Sequence, residues 1–239
     1  MNRKALKQQA KLVMKTQYWR LLLIVFLYEI VTLDFVSLNV DTTTYTLTID
    51  ISGMPYAIEL SAMIIAMLAI LGLFSIFYSI FVSPVFHYGF VNHFKHQALG
   101  NPNYDLMAGF HENYKKIVKM NFIAGLEIAL WTVVFVIPGI IKGLEYLYIN
   151  EILEEHPDWT HREVMNESKR IMYGHKKEVF ILDLSFFGWV FLATLVASFT
   201  FGFVSSFVTP YINLTNANAY LWFKSLDEKQ YNFQNEPLV

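Results

Sequence analysis

The sequence predicts an all-α polytopic membrane protein, with about six transmembrane helices arranged as three hairpins, short interfacial helices and a small outer β-hairpin. The whole chain, residues 1–239, reads as a single integral membrane domain. Three observations carry that expectation. Of the 239 residues 55% are hydrophobic and only 16% are charged, less charge than a soluble domain of this length carries. Apolar runs long enough to cross a hydrocarbon core of about 30 Å recur along the chain. The basic residues gather between those runs, on one side of the membrane they imply. With 18 basic against 20 acidic residues, nothing points to a nucleic-acid partner. The absence of cysteine excludes disulfides and thiolate metal sites.

Residues 1–17 carry Arg3, Lys4, Lys7, Lys11 and Lys15, with Ala5, Leu6, Leu12 and Val13 at roughly helical spacing. They read as a basic interfacial helix, retained because the apolar segment behind it lacks a small-residue cleavage site. Residues 19–35 form the first expected span, with Tyr18 and Trp19 at headgroup depth and Glu29 inside it. Alternation of period two in 36–40 and 45–51, around Asp41, Thr42 and Thr43, predicts the outer β-hairpin over 36–51. Residues 57–82 return across the membrane, with Gly72, Ser75, Ser79 and Ser83 near one stripe where another helix packs closely. Residues 84–119 read as a mixed amphiphilic cytoplasmic connection.

The next stretch organises the chain. A third span, 120–137, meets Pro138-Gly139, where proline followed by glycine suits the central positions of a type II turn. A fourth span, 140–153, leads back, and it is short enough that it must be sheltered by other helices or be partly re-entrant. A cytoplasmic amphipathic helix follows over 158–174, opened by a capping box of Thr160 and Glu163 and stopped at Gly174. Residues 179–199 and 204–223 are the last two spans, with Pro210 expected to kink the second. With both termini cytoplasmic, every lysine and arginine of the 18 lies on the inner side except Lys142.

Ionisable residues inside spans are functional candidates by default, because lipid penalises an unpaired charge. Glu29, Glu127, Lys142, Glu145 and Asn213 are the candidate binding residues, and Pro138, Gly139, Thr160, Glu163, Gly174 and Pro210 are structural. Lys142 and Glu145, three residues apart, can meet on one helix, and Glu127 can join them across the hairpin. His93 and His96 share a helical face, but no His-Glu-x-x-His spacing accompanies them, so no metal is expected. Nucleophile elbows, phosphate loops and paired catalytic carboxylates are also absent, so neither an enzyme nor a cofactor is expected.

Ile137-Pro-Gly-Ile-Ile-Lys-Gly143 is followed by Tyr146, Asn150-Glu151, Pro157, Thr160, Ser168-Lys169, Met172, Gly174-His175 and Leu182-Asp183-Leu184-Ser185. In that order, with Thr209-Pro210-Tyr211 and the opening Asn2-Arg3-Lys4, the chain resembles the bacterial integral membrane family catalogued as domain of unknown function 975. A related order of motifs occurs in the membrane domain attached to some glycerophosphodiester phosphodiesterases. The resemblance implies a place in the bacterial cytoplasmic membrane and this helix order, and it implies no reaction. Two functional classes compete. The first is a non-catalytic component that binds membrane lipids or a protein partner at the cytoplasmic face. The second is a small carrier or pore for a lipid-like or amphiphilic molecule, and it is weakened because the one clear helix break lies away from the expected midplane.

Overall fold

The computed structural model describes residues 1–32, 56–111, 113–200 and 205–235, and among them every regular element is a helix. The predicted β-hairpin at 36–51 lies outside the described residues. Helix α1 (Arg3–Thr32) combines the expected interfacial helix and first span, with non-helical backbone at Gln17 marking the kink between them. Helix α2 (Tyr56–Phe81) leads through a bend of 41° into α3 (Ser83–Ala98). A short turn, α4 (Ala108–His111), precedes α5 (Tyr114–Val134) and α6 (Val136–Glu145), which pack against each other as a hairpin. Then come α7 (Ile149–Glu155), α8 (His161–Met172), α9 (Lys176–Leu184), α10 (Phe187–Thr200) and α11 (Ser205–Asn235).

Helix α3 is the hub of the fold, although its sequence reads as a connection. It packs against α1, α2, α5, α7 and α11 and buries Val85, Tyr88, Phe90 and Phe94 together with Asn92, His93, Lys95 and Gln97. Its polar residues look solvated in the sequence because their partners lie on other helices. Asn92 donates to the backbone oxygen of Asn150 at 3.1 Å, and Lys95 donates to that of Glu151 at 3.1 Å. Gly89 is required for the loop that returns over α3, since a Cβ there would stand 1.9 Å from the backbone oxygen of Leu106. Two apolar cores flank the hub. One joins Ile117, Met120, Ile152, Leu153, Val164, Met172 and Leu182, and the other joins Leu21, Val25, Phe90, Phe94 and Leu214.

The central hairpin exists, but its apex differs from the expectation. The break falls at Phe135, which has extended backbone, and Pro138 and Gly139 sit in the first turn of α6. A helix continued through Pro138 would press the ring against the carbonyl of residue 134, whereas in a first turn the missing N–H costs nothing. Gly139 has a separate role. A Cβ there would meet Thr132 at 2.1 Å from Oγ1 and 2.9 Å from Cα, so glycine sets the closeness of the two arms.

Two other expected spans are also divided. The fourth, 140–153, is interrupted between Glu145 and Ile149, where Tyr146 and Tyr148 are buried; α7 then lies in the body against α3 and α8. The fifth, 179–199, is divided between Leu184 and Phe187. Helix α8 matches its prediction closely. Thr160 Oγ1 accepts from the Glu163 N–H at 3.4 Å, the Thr160 N–H donates to Glu163 Oε2 at 2.7 Å, and Gly174 takes the positive φ of +82° that stops the element. Pro210 lies inside α11.

Apolar exposure is densest in three segments, and it also occurs along α1, where Leu23, Leu27 and Ile30 are exposed. Ile65, Leu68, Leu73 and Phe77 of α2, Leu130, Val133, Phe135 and Ile137 around the hairpin tip, and Trp189, Phe191 and Leu192 of α10 are all exposed. Among the described residues one helix, Tyr114–Val134, is long and apolar enough to cross a membrane, and the bent pair Ile65–Phe81 and Ser83–Ala98 qualifies when taken together.

Candidate functional site: the charged base of the central hairpin

Three of the five predicted binding residues converge where the α5–α6 hairpin joins the body. Helix α5 supplies Glu127, α6 supplies Lys142 and Glu145, α8 brings Ser168 and Lys169, and α9 brings Lys176. The Glu145 carboxylate accepts from Lys142 Nζ at 2.7 Å through Oε2 and from Lys176 Nζ at 2.6 Å through Oε1. Ser168 Oγ donates to the backbone oxygen of Glu145 at 2.7 Å, which ties the exposed carbonyl end of α6 to α8. The expected pairing of Lys142 with Glu145 is therefore present. Glu127 does not join it; its Oε2 accepts from the Tyr146 hydroxyl instead. Tyr146 is also a platform for Lys169, whose Nζ lies 5.0 Å from the ring centroid.

Beside this cluster is a cavity of about 260 Å³ between α5 and α8, walled by Ile123 and Glu127 on one side and by His161, Arg162, Met165, Asn166 and Lys169 on the other. Arg162, Asn166 and Lys169 follow one another at i, i+4 and i+7, so they share one face of α8. The cluster and cavity together hold four cations, Lys142, Arg162, Lys169 and Lys176, against the carboxylates of Glu127 and Glu145. That excess of positive charge borders the exposed apolar surface of the hairpin, including Phe122 and Leu126. Lys142 is thus no isolated outer lysine, because it shares a carboxylate with Lys176 at the base.

The other two binding candidates lie elsewhere. Glu29 of α1 is buried and accepts from Ser206 Oγ of α11. Asn213 donates to the Thr209 carbonyl of its own helix at 2.9 Å.

Sequence reasoning missed a second polar centre. Lys95, 1% exposed, donates to Glu154 Oε2 and lies 3.5 Å from Glu155 Oε1. Glu155 also accepts from the Tyr220 hydroxyl and from Lys224 Nζ, each at 2.9 Å, while His96 Nε2 meets Glu154 Oε1 at 3.0 Å. Burial pushes the Glu154 carboxyl up, but the hydrogen bonds and charges of Lys95 and His96 outweigh it and hold the group below its ordinary value. Glu151 is different. Burial, with a smaller contribution from the Glu155 charge, drives its carboxyl up to about 7 against the opposing pull of a backbone hydrogen bond and of Lys95. The Glu151-x-x-Glu154-Glu155 spacing is visible in the sequence, but its buried partner Lys95 lies 56 residues before Glu151 and 59 before Glu154, on a helix that reads as a connection. His93 and His96 gather no metal set: among the described residues no group of three potential ligands occurs.

Among the described residues, a body of helices with apolar arms and a cationic collar at their base is the class that this fold and site define. The chain belongs to the family described as "Protein of unknown function (DUF975)", whose model matches residues 56–227. No curated protein and no solved structure matches it.

Proposed function

We propose that the chain is a non-catalytic component of the bacterial cytoplasmic membrane, multi-pass with both termini cytoplasmic, which binds membrane lipids at its inner face. One observation carries the reading: large apolar side chains stand exposed along α2, the hairpin tip and α10, while the charged groups gather at the hairpin base and in the body. Water penalises such a surface over so many contiguous residues, and lipid does not. In this reading the C-terminal half of α1, helix α2, the α9–α10 pair and the N-terminal half of α11 cross the bilayer.

The central hairpin enters from the inner face and returns without crossing. Its returning arm, α6, has ten residues and so a length of about 15 Å, half the hydrocarbon thickness. With Lys142, Glu145 and Lys176 at the inner interface, Phe135 reaches about the midplane. Lys142 then ceases to be an exception to the inner placement of basic residues.

Alkaline carbonate washing of membranes from expressing cells tests the reading. The protein is expected to stay in the pellet, and proteoliposomes are expected to leak small amphiphilic solutes no faster than empty vesicles. Release into the supernatant would remove the membrane reading. Solute flux that Glu127→Gln abolishes would replace it with the carrier reading.

A further inference from the structure

The cations at the hairpin base divide into two groups. Lys142 and Lys176 are held by Glu145, and Arg170 by Glu167. Among the described residues Arg162 and Lys169 make no ion pair, yet both line the cavity between α5 and α8. The opposite wall carries Glu127, whose Oε2 is taken by the Tyr146 hydroxyl, leaving Oε1 directed to no partner among the described residues. The cavity thus presents on one wall two positive groups that no carboxylate among the described residues pairs, Arg162 and the Lys169 ammonium beside the Tyr146 ring, and a half-used carboxylate on the other. Asn166 lies between Arg162 and Lys169 on the cationic wall, adding an amide that both donates and accepts.

We propose that this cavity holds the headgroup of a zwitterionic aminophospholipid, its phosphate bound by Arg162 and Lys169 and its primary ammonium by Glu127. The proposal rests on the membrane reading above. A purely anionic headgroup satisfies the cations but meets the Glu127 carboxylate with like charge. A choline headgroup places its charge correctly but has no N–H to donate to that carboxylate. A phosphoethanolamine group satisfies both walls, with charge-assisted hydrogen bonds at each end. Lipid is the source rather than a soluble ester because of what adjoins the cavity: Phe122, Leu126 and Leu130, at i, i+4 and i+8, form an exposed apolar stripe on α5 beside Ile123 and Glu127. Acyl chains gain contact there that a free headgroup does not.

The full chain, purified in detergent, is titrated with dioleoyl phosphatidylethanolamine, phosphatidylcholine and phosphatidylglycerol, and bound lipid is counted by native mass spectrometry. The expected result is at least tenfold tighter binding of phosphatidylethanolamine than of the other two. Glu127→Gln, which keeps an acceptor for Tyr146, should abolish that preference, and Arg162→Gln with Lys169→Gln should weaken all three lipids by tenfold or more. Free O-phosphoethanolamine at the same concentration should displace no lipid. Equal binding of the three lipids, a preference untouched by Glu127→Gln, or displacement by the free headgroup would each overturn the proposal. Matching thermal midpoints show that the variants are folded. Failure here with the protein still retained after carbonate washing refutes the headgroup site alone, whereas release by carbonate refutes the membrane reading beneath it.

Discussion

At the scale of single residues, Glu145 and Glu151 show how placement decides the meaning of a carboxylate. Glu145 is shared by two lysines from different helices, so either one suffices to neutralise it. Lys142→Met or Lys176→Met alone should therefore lower stability by about 1 kcal/mol or less, while the double variant, which strands the charge, should cost about 3 kcal/mol or more. Thermal or denaturant unfolding of the purified protein measures this, and simple additivity of the two single changes would contradict the shared geometry. Glu151 has no such neutralisation, and one of its oxygens, Oε2, is buried without a hydrogen-bond partner. Its folded-state carboxyl titrates near 7 rather than at its ordinary 4.5, so the folded chain holds a proton that the unfolded chain releases. The associated stability is complete below pH 4.5 and lost as pH rises through 7, a contribution on the order of 3 kcal/mol. Glu151→Gln should flatten the pH dependence between those limits and leave the variant more stable than the parent at pH 8. An unchanged slope between pH 4.5 and 7 would show that Glu151 is ionised in the folded protein.

Elements were legible in the sequence where their signals are local. Helix α8 is legible because a capping box, an apolar face and a terminal glycine all lie between Thr160 and Gly174. Helix α3 is not, because what makes Asn92 and Lys95 tolerable in a core is the presence of Asn150, Glu151, Glu154 and Glu155 opposite them. The fourth segment, 140–153, is divided for a related reason: Tyr146 and Tyr148 lie in an apolar run, but one bonds Glu127 and the other stands with its ring 5.2 Å from that of Tyr220, partners that the run itself does not reveal. The hairpin was visible in Pro138-Gly139, while its apex was displaced because proline tolerates a first helical turn as readily as a tight turn. Gly139→Ala tests the closeness of the arms. With Thr132 Cα in the way, the arms must separate, and a loss of about 1–3 kcal/mol is expected. Unchanged stability would mean that the arms are not in contact at that level.

At the scale of the whole molecule, the distribution of apolar exposure and charge makes one statement that neither composition nor helix count makes alone. The apolar runs that suggest six crossings are divided in the fold between helices with exposed apolar faces and a packed body. Residues 149–155, from the expected fourth span, belong to that body together with 83–98, which read as a connection. The candidate site was half legible: Glu127, Lys142 and Glu145 were named from their position in apolar runs, whereas Lys169, Lys176 and Arg162 reach them only through the packing of α8 and α9. The natural absence of cysteine makes the central claim directly measurable. Single cysteines at Thr43, Asn103 and Phe135 are labelled with a membrane-impermeant maleimide from each side of sealed membranes. The hairpin that enters from the inner face and turns near the midplane predicts labelling of Thr43→Cys from outside only, of Asn103→Cys from inside only, and of Phe135→Cys from neither side until detergent is added. Labelling of Phe135→Cys from outside in intact membranes would mean that the hairpin crosses, and would contradict the account.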